Sequence, residues 1–251
     1  MLSIERRQKI LERLQQDKKV YVSVLSEDFK VTQETIRRDL ERLEKKGLLQ
    51  RSHGGAVSAH PTNEDLPFTI RTSAHSSEKQ IIAQKAVNLI NNGSTIMADS
   101  STTVLTLVDL LQGKTDITII TNSVKLLNDY AGSSFSLIGT GGSLRAHSFA
   151  LVGHQACQTL EDYNVDLALI SCKGLDMDRG IMESNEPESL VKKTMIAQAK
   201  TTILLADHTK FDQVVFIKTI DFSDIDYVIT DQEPQPEWVE FFRKKEVQLI
   251  C

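Results

Sequence analysis

From Ser77 onward the chain alternates short apolar runs with helical stretches, and this alternation restricts the fold more than any other feature. The runs "STIMAD", "DITIITN", "FSLIGT", "VDLALIS", "TTILLAD", "DYVITD" and "VQLIC" read as strands. The segments "EKQIIAQKAVNLI", "TTVLTLVDLL", "VKLLNDY", "EPESLVKKTMIAQA" and "PEWVEFFRKK" read as helices. Strands that are apolar along their whole length, separated by helices, predict a parallel α/β sheet covered on both faces. A chain of 251 residues is long enough for such a unit and one smaller module.

The first sixty residues have a different pattern. "SIERRQKILERLQQ" places Ile4, Ile10, Leu11 and Leu14 on one helical face with Arg6, Arg7 and Arg13 off it. "VSVLSEDF" is a short helix expected to bury Val24, Leu25 and Phe29, followed by a turn at Lys30–Val31. In "TQETIRRDLERLEKKG", Thr32 is suited to cap the helix, Ile36, Leu40 and Leu43 form its buried stripe, and Gly47 ends it. "LLQRSHGGAV" then alternates around Gly54-Gly55 and predicts a β-hairpin. Three helices and a hairpin make a winged helix-turn-helix. Its third helix would expose Gln33, Thr35, Arg37, Arg38 and Glu41, and Thr32, Gln33, Thr35, Arg37 and Arg38 would meet DNA, with arginine and glutamine near the helix start suited to base edges in a major groove. Arg51 and His53 on the hairpin would reach phosphate or the minor groove. The plainer alternative leaves Arg37 and Arg38 as solvated charges paired with Glu34, Asp39 or Glu41.

Charge follows the same division. Residues 1–60 hold 13 Lys and Arg against 9 Asp and Glu, and the rest of the chain carries a net −9. A basic head on an acidic body suits a polyanion partner at the head alone. No apolar run reaches the roughly 18 residues that span a bilayer, and "MLSIERRQKI" lacks an apolar signal core, so a cytoplasmic location is expected. Three scattered cysteines and six scattered histidines offer neither a disulfide framework nor metal-ligand spacing, so neither metal nor cofactor is expected.

In parallel sheets ligands bind beyond the C-terminal strand ends. Here those ends carry "DSSTT" (Asp99 to Thr103), "TNS" (Thr121 to Ser123), "GTGGSLR" (Gly139 to Arg145), "SCKGLD" (Ser171 to Asp176) and "ADHTKF" (Ala206 to Phe211). Each could be a capping turn. Together they form a rim of hydroxyls and N–H groups, with Arg145, Lys173 and Lys210 adding positive charge, for a small phosphorylated or polyhydroxylated guest. "GTGGSLR" lacks the Lys-Ser/Thr of a P-loop, and no serine stands in Gly-x-Ser-x-Gly.

The head segment, with Thr35-Ile36-Arg37-Arg38-Asp39-Leu40 and the His-Gly-Gly wing, resembles the N-terminal signature of the DeoR family of bacterial transcriptional regulators. The strand-end blocks resemble that family's sensor domain in the same order. The resemblance implies residues 1–57 as a winged helix-turn-helix, 58–75 as a linker and 76–251 as an effector-binding and oligomerisation domain similar in fold to ribose-5-phosphate isomerase. It implies a repressor of a sugar catabolic operon that binds double-stranded operator DNA as a homo-oligomer, dimer or tetramer, and answers to a phosphorylated sugar. Asp99, Ser100, Ser101, Thr102 and Thr103 would hold the phosphate or adjacent hydroxyls, and Asn122, Gly141, Gly142 and Arg145 would line the pocket. Glu188, Lys192 and Lys210 match later charged positions, although Glu188 and Lys192 also fit an i,i+4 surface pair. Lys173 departs from the acid or small residue that many members have before the following glycine. Two other functions stay open: an isomerase-like enzyme with an accessory DNA-binding head, using Asp99, Asp176, Glu183 or Glu188 as base, and a DNA-binding module whose body only oligomerises.

Overall fold

A computed structural model describes residues 3–17, 19–45, 48–52, 54–57 and 65–251. The chain forms two compact units, Met1–Leu66 and Pro67–Cys251.

The first unit contains α1 (Ser3–Asp17), β1 (Lys19–Tyr21), α2 (Val22–Asp28), α3 (Gln33–Glu44), β2 (Gln50–Ser52) and β3 (Gly55–Val57). Ile10 and Leu14 of α1, Leu25 of α2 and Ile36, Leu40 and Leu43 of α3 are its buried core. The Thr32 hydroxyl accepts from the Thr35 N–H and fixes the start of α3. The hairpin is one half of a larger element: β3 pairs antiparallel with both β1 and β2. Gly55 is required there, because a Cβ at that position would lie 2.0 Å from the Val20 carbonyl oxygen.

Three side chains depart from the amphipathic pattern. Val24 is exposed, because α2 turns Val22 and Leu25 inward instead. Ile4, in the first turn of α1, is also exposed. Arg6 is buried, its Nε donating to the Asp39 carboxylate over 2.6 Å, with Arg7 Nη1 3.4 Å from the other oxygen. Asp39 is therefore spent on α1, where the sequence offered it to Arg37 or Arg38. Gly47 and His53 lie outside the described residues, and α3 ends at Glu44.

The second unit begins earlier than expected. Residues 68–73, assigned from sequence to the linker, form α4 (Phe68–Ser73). Phe68 is the physical reason: it is buried edge-on against Phe149 with ring centroids 5.6 Å apart, and its N–H donates to the His147 carbonyl. Next come α5 (Ser76–Ala86), β4 (Thr95–Ala98), α6 (Thr102–Asp109), β5 (Thr118–Thr121), α7 (Val124–Asp129), β6 (Ser136–Gly139), β7 (Ser143–Arg145), β8 (Ala150–Val152) and α8 (His154–Glu161). The remainder is β9 (Val165–Ser171), β10 (Gly174–Asp176), β11 (Gly180–Glu183), α9 (Glu186–Ala197), β12 (Ala199–Leu205), β13 (Ile217–Ile220), β14 (Tyr227–Ile229), α10 (Pro236–Lys244) and β15 (Gln248–Ile250).

Seven strands form one sheet in the order β15-β14-β12-β9-β4-β5-β6, every neighbouring pair parallel. Alternate residues serve opposite faces. Ile96 and Ala98 of β4, Leu167 and Leu169 of β9 and Ile203 and Leu205 of β12 pack with Ile82 of α5, Leu107 of α6 and Leu126 of α7. Met97 packs with Leu160 of α8 and with Val191 and Met195 of α9, while Leu204 and Val228 meet Trp238 and Phe242 of α10. Both faces are covered, which explains why the strands read as unbroken apolar runs. Two further elements lack that signature: the antiparallel sheet β10-β11-β13 and the hairpin β7-β8. Both use residues assigned from sequence to strand-end loops.

Candidate functional site

A parallel sheet sends all its strand ends in one direction, so the five polar loops share one rim. Ser101 opens α6 with its hydroxyl accepting from the Val104 N–H, and Ser100, Thr102 and Thr103 beside it are buried. Asn122 is buried at the end of β5, its amide donating to the Leu151 carbonyl while Oδ1 has no protein partner. Gly141 and Gly142 take φ +67° and +103°, and a Cβ at 142 would lie 2.6 Å from the Val152 oxygen, so a side chain is excluded there.

Asp99 is 2% exposed, and both of its carboxylate oxygens have partners. One carboxylate oxygen accepts from the Ser101 N–H at 2.8 Å. The other accepts from the Ser171 N–H at 2.9 Å and lies 3.2 Å from Lys192 Nζ. Lys192 also donates to the Ser171 carbonyl at 2.6 Å and to Glu183. Burial alone would favour a neutral amine, but Glu183, Asp99 and Glu188 hold the Lys192 pKa well above the usual lysine range. Burial pushes the Glu183 carboxyl up, against the pull of Lys192. Glu188 accepts from Arg145 Nη1 at 3.0 Å and from the Ser148 hydroxyl. Glu188 and Lys192 are thus buried in separate polar networks, which corrects the surface-pair alternative. They face inward because α9 packs this side on the strand ends.

Cations gather elsewhere on the rim. Lys210 lies 3.2 Å from Asp207, whose carboxyl is held below the usual range: burial opposes ionisation, but Lys210, the Thr209 hydroxyl and His75 overcome it. Lys79 of α5, 6% exposed, donates to the Ala74 carbonyl at 2.6 Å and to that of Arg71. Burial pushes its pKa down to about 8; the charges of Lys210, Arg71 and Lys173 push the same way, and the Asp207 carboxylate opposes them. The sequence reading missed Lys79, although its spacing from Ile82, Ala83 and Ala86 places it on the buried face of α5. Lys173 and Lys210 belong to this group, whereas Arg145 belongs to the Glu188 network.

In the first unit, the exposed side of α3 carries Gln33, Arg37 and Arg38. Arg38 Nε is 3.4 Å from Glu34, Arg37 Nη1 is 3.9 Å from it, and Arg37 also donates to Gln33 at 3.3 Å. Exposed pairs of this kind contribute little and exchange readily for another anion. Thr32 and Thr35 share a hydroxyl contact of 2.9 Å at the helix start. Arg51 on β2 is exposed, with its guanidinium 3.9 Å from Glu44.

A model of the DeoR-like helix-turn-helix domain matches residues 6–62, and one of the DeoR C terminal sensor domain matches residues 74–232. The chain belongs to the DeoR family of transcriptional regulators. Among DeoR relatives, the uncharacterized regulator YulB of Bacillus subtilis is 39% identical over 100% of this chain and 97% of its own length. The putative aga operon transcriptional repressor of Escherichia coli O157:H7 is 32% identical over 98% and 93%. The repressor GlcR of Bacillus subtilis is 33% identical over 100% and 96%. Among solved structures, ribose 5-phosphate isomerase A of Methanocaldococcus jannaschii overlaps 55% of each chain at 16% identity and TM-score 0.41. For eIF2B delta of Chaetomium thermophilum the values are 66% of this chain, 59% of that one, 14% and 0.49. Among the described residues, no helix of this DeoR-family chain is long and apolar enough to cross a membrane.

Proposed function

We propose that this chain represses a carbohydrate catabolic operon, that its first unit binds operator DNA, and that a phosphorylated sugar at the strand-end rim of its second unit controls that binding. The observation that carries the proposal is the group of Lys79, Lys173, Lys210 and Arg71 beside a capped helix start, in a unit that is acidic as a whole. Clustered cations and helix-start N–H groups suit a phosphate, and the neighbouring hydroxyls and amides suit a sugar. The names of two relatives, a putative aga operon transcriptional repressor and a glycerol-3-phosphate regulon repressor, support the carbohydrate assignment.

Sensing is favoured over isomerisation by the state of Asp99. A base that moves a proton between carbons must reach substrate with a free oxygen. Both Asp99 oxygens are taken by backbone N–H groups, and Lys192 neutralises the charge. Asp99 therefore joins the ends of β4 and β9, and the hydroxyls of Ser100 and Thr103 are left for the ligand. Assembly of the chain into a homo-oligomer would cover the exposed Leu144, Leu190, Val214 and Phe216 of the second unit.

Fluorescence anisotropy with DNA from the region flanking the chain's own gene tests the proposal. Arg37→Ala or Arg38→Ala should weaken specific binding by about 1–3 kcal/mol where the arginine reads a base. A sugar phosphate from a panel of pentose and hexose phosphates should alter binding, its dephosphorylated form should not, and no product should accumulate. Turnover would favour the enzyme. No response to any compound in anisotropy or in thermal shift would leave a scaffold.

A further inference from the structure

The amine of Lys79 stands between two parts of the second unit. Its Nζ donates to the carbonyls of Arg71 and Ala74, the acceptors at the C-terminal end of α4. The Thr102 hydroxyl at the start of α6 also approaches the Arg71 carbonyl, at 3.4 Å. Lys79 therefore touches α4 at the point where the helix that opens beside Asp99 begins. A lysine ammonium has three N–H donors. Two are spent on these carbonyls, and among the described residues no carboxylate bonds to the third. A buried ammonium whose two hydrogen bonds go to neutral carbonyls, with the charges of Lys210, Arg71 and Lys173 around it outnumbering the one carboxylate of Asp207, is stabilised by an arriving anion more than a surface lysine would be.

The segment that Lys79 holds is the entry to this unit. Pro67 is its first residue, and α4 follows directly. At its other end α4 joins α5 through His75, which takes the left-handed conformation with φ +51° and ψ +41°. That conformation is unfavourable for a non-glycine residue, whose Cβ crowds the following carbonyl oxygen. A strained joint persists where its surroundings hold it, and here Lys79 grips the Ala74 carbonyl next to it and Phe68 is wedged against Phe149.

We propose that Lys79 is an anion contact of the effector site and that, by bridging the bound phosphate to the Arg71 and Ala74 carbonyls, it fastens α4 when the effector is present. This rests on the phosphorylated-sugar reading above. The anion keeps the amine charged and gives its third N–H an acceptor, which strengthens the two carbonyl bonds. Occupancy of the rim is thereby linked to the order of the helix that receives the chain from the DNA-binding unit, and a shift in that order shifts the arrangements open to the two units.

The test is hydrogen exchange on the full-length chain at the Ile70, Arg71 and Ala74 amides, which donate to the Pro67 and Ile70 carbonyls. It is run with and without the sugar phosphate that gives the largest thermal shift, and with inorganic phosphate as the control anion. The wild-type amides should exchange at least several-fold more slowly with the sugar phosphate. The dephosphorylated sugar should leave them unchanged. In Lys79→Met the ligand should bind at least tenfold more weakly and give no slowing, while Lys79→Arg should restore part of both. A wild-type chain that binds the sugar phosphate but shows unchanged or faster exchange at α4 overturns the bridge and leaves the effector proposal standing. So does a folded Lys79→Met chain that binds as tightly as wild type. Failure of every sugar phosphate and of inorganic phosphate to bind the wild type overturns both. The wild-type exchange measurement decides the matter even where Lys79→Met does not fold.

Discussion

Replacing Lys192 with Met tests the polar centre of the second unit most directly. The side chain sits among Asp99, Glu183 and the Ser171 carbonyl, and all four residues are buried. Methionine fills similar volume, so the cavity contribution is small and the loss is electrostatic. Removing one partner of a buried ion pair costs about 3–5 kcal/mol, because the other charge is left without compensation. Here one ammonium serves two carboxylates, which places the cost near the upper half of that range, about 4 kcal/mol. With a urea slope of about 2 kcal/mol/M, the midpoint should fall by about 2 M. The chain has a single tryptophan, Trp238, on the buried face of α10 in this unit, so its fluorescence follows the second unit and not the first.

The same variant should show a specific pH dependence. Burial already raises the Glu183 carboxyl above its usual value in the folded chain. Losing the ammonium raises it further. A folded state that binds the proton more tightly than the unfolded state gains stability as pH falls through the window between the two values. The deficit of Lys192→Met should therefore be smaller near about pH 5 than near about pH 8. Adding Glu183→Gln should recover part of it, since neighbours in one network are not additive. A loss below about 1 kcal/mol, the ordinary size for a substitution outside any such network, would refute this account. An equal loss at both pH values would do the same.

The first unit offers simpler tests. Thr32→Ala removes the hydroxyl that caps α3 and should cost about 1 kcal/mol, read from helical circular dichroism on heating. Gly55→Ala places a methyl group against the Val20 carbonyl, so β1 and β3 must separate, at about 2–3 kcal/mol. Gly54→Ala meets open space and should cost less, about 1 kcal/mol for its positive φ. Equal losses at 54 and 55 would mean that the close strand approach is not what demands glycine.

Much of the fold was legible because it is local. The strands of the large sheet are apolar along their length because both faces are covered, and α3 carries its cap, stripe and polar face within sixteen residues or so of sequence. What escaped depends on partners distant in sequence. Arg6 looks like a surface charge until Asp39 of α3 is brought beside it. Glu188 and Lys192 look like a helical pair until one meets Arg145 and the other Asp99. The antiparallel β10-β11-β13 is built from strands of three or four residues with turn residues between them, too short for a period to register. Residues 68–73 read as linker because α4 is only six residues long and has a single buried anchor, Phe68.

Charge shows the same limit in a form that bears on function. Counted along the sequence, the second unit is acidic, and a net negative body argues against an anionic ligand. Counted by contact, the acids at the strand ends each face a cation, although Asp99 and Glu183 share one and one Glu183 oxygen has no partner. Asp99 and Glu183 face Lys192, Glu188 faces Arg145, and Asp207 faces Lys210. Lys79 is held by carbonyl oxygens, which orient an ammonium without cancelling its charge. Coulomb energy falls with distance and with screening, so a guest on the rim responds to uncancelled charge within a few ångströms and hardly to carboxylates on the far helices. An acidic domain can therefore hold a phosphate at its strand-end rim, and the residue that decides it is one whose hydrogen-bond partners are neutral and whose nearby carboxylate, Asp207, is shared with Lys210.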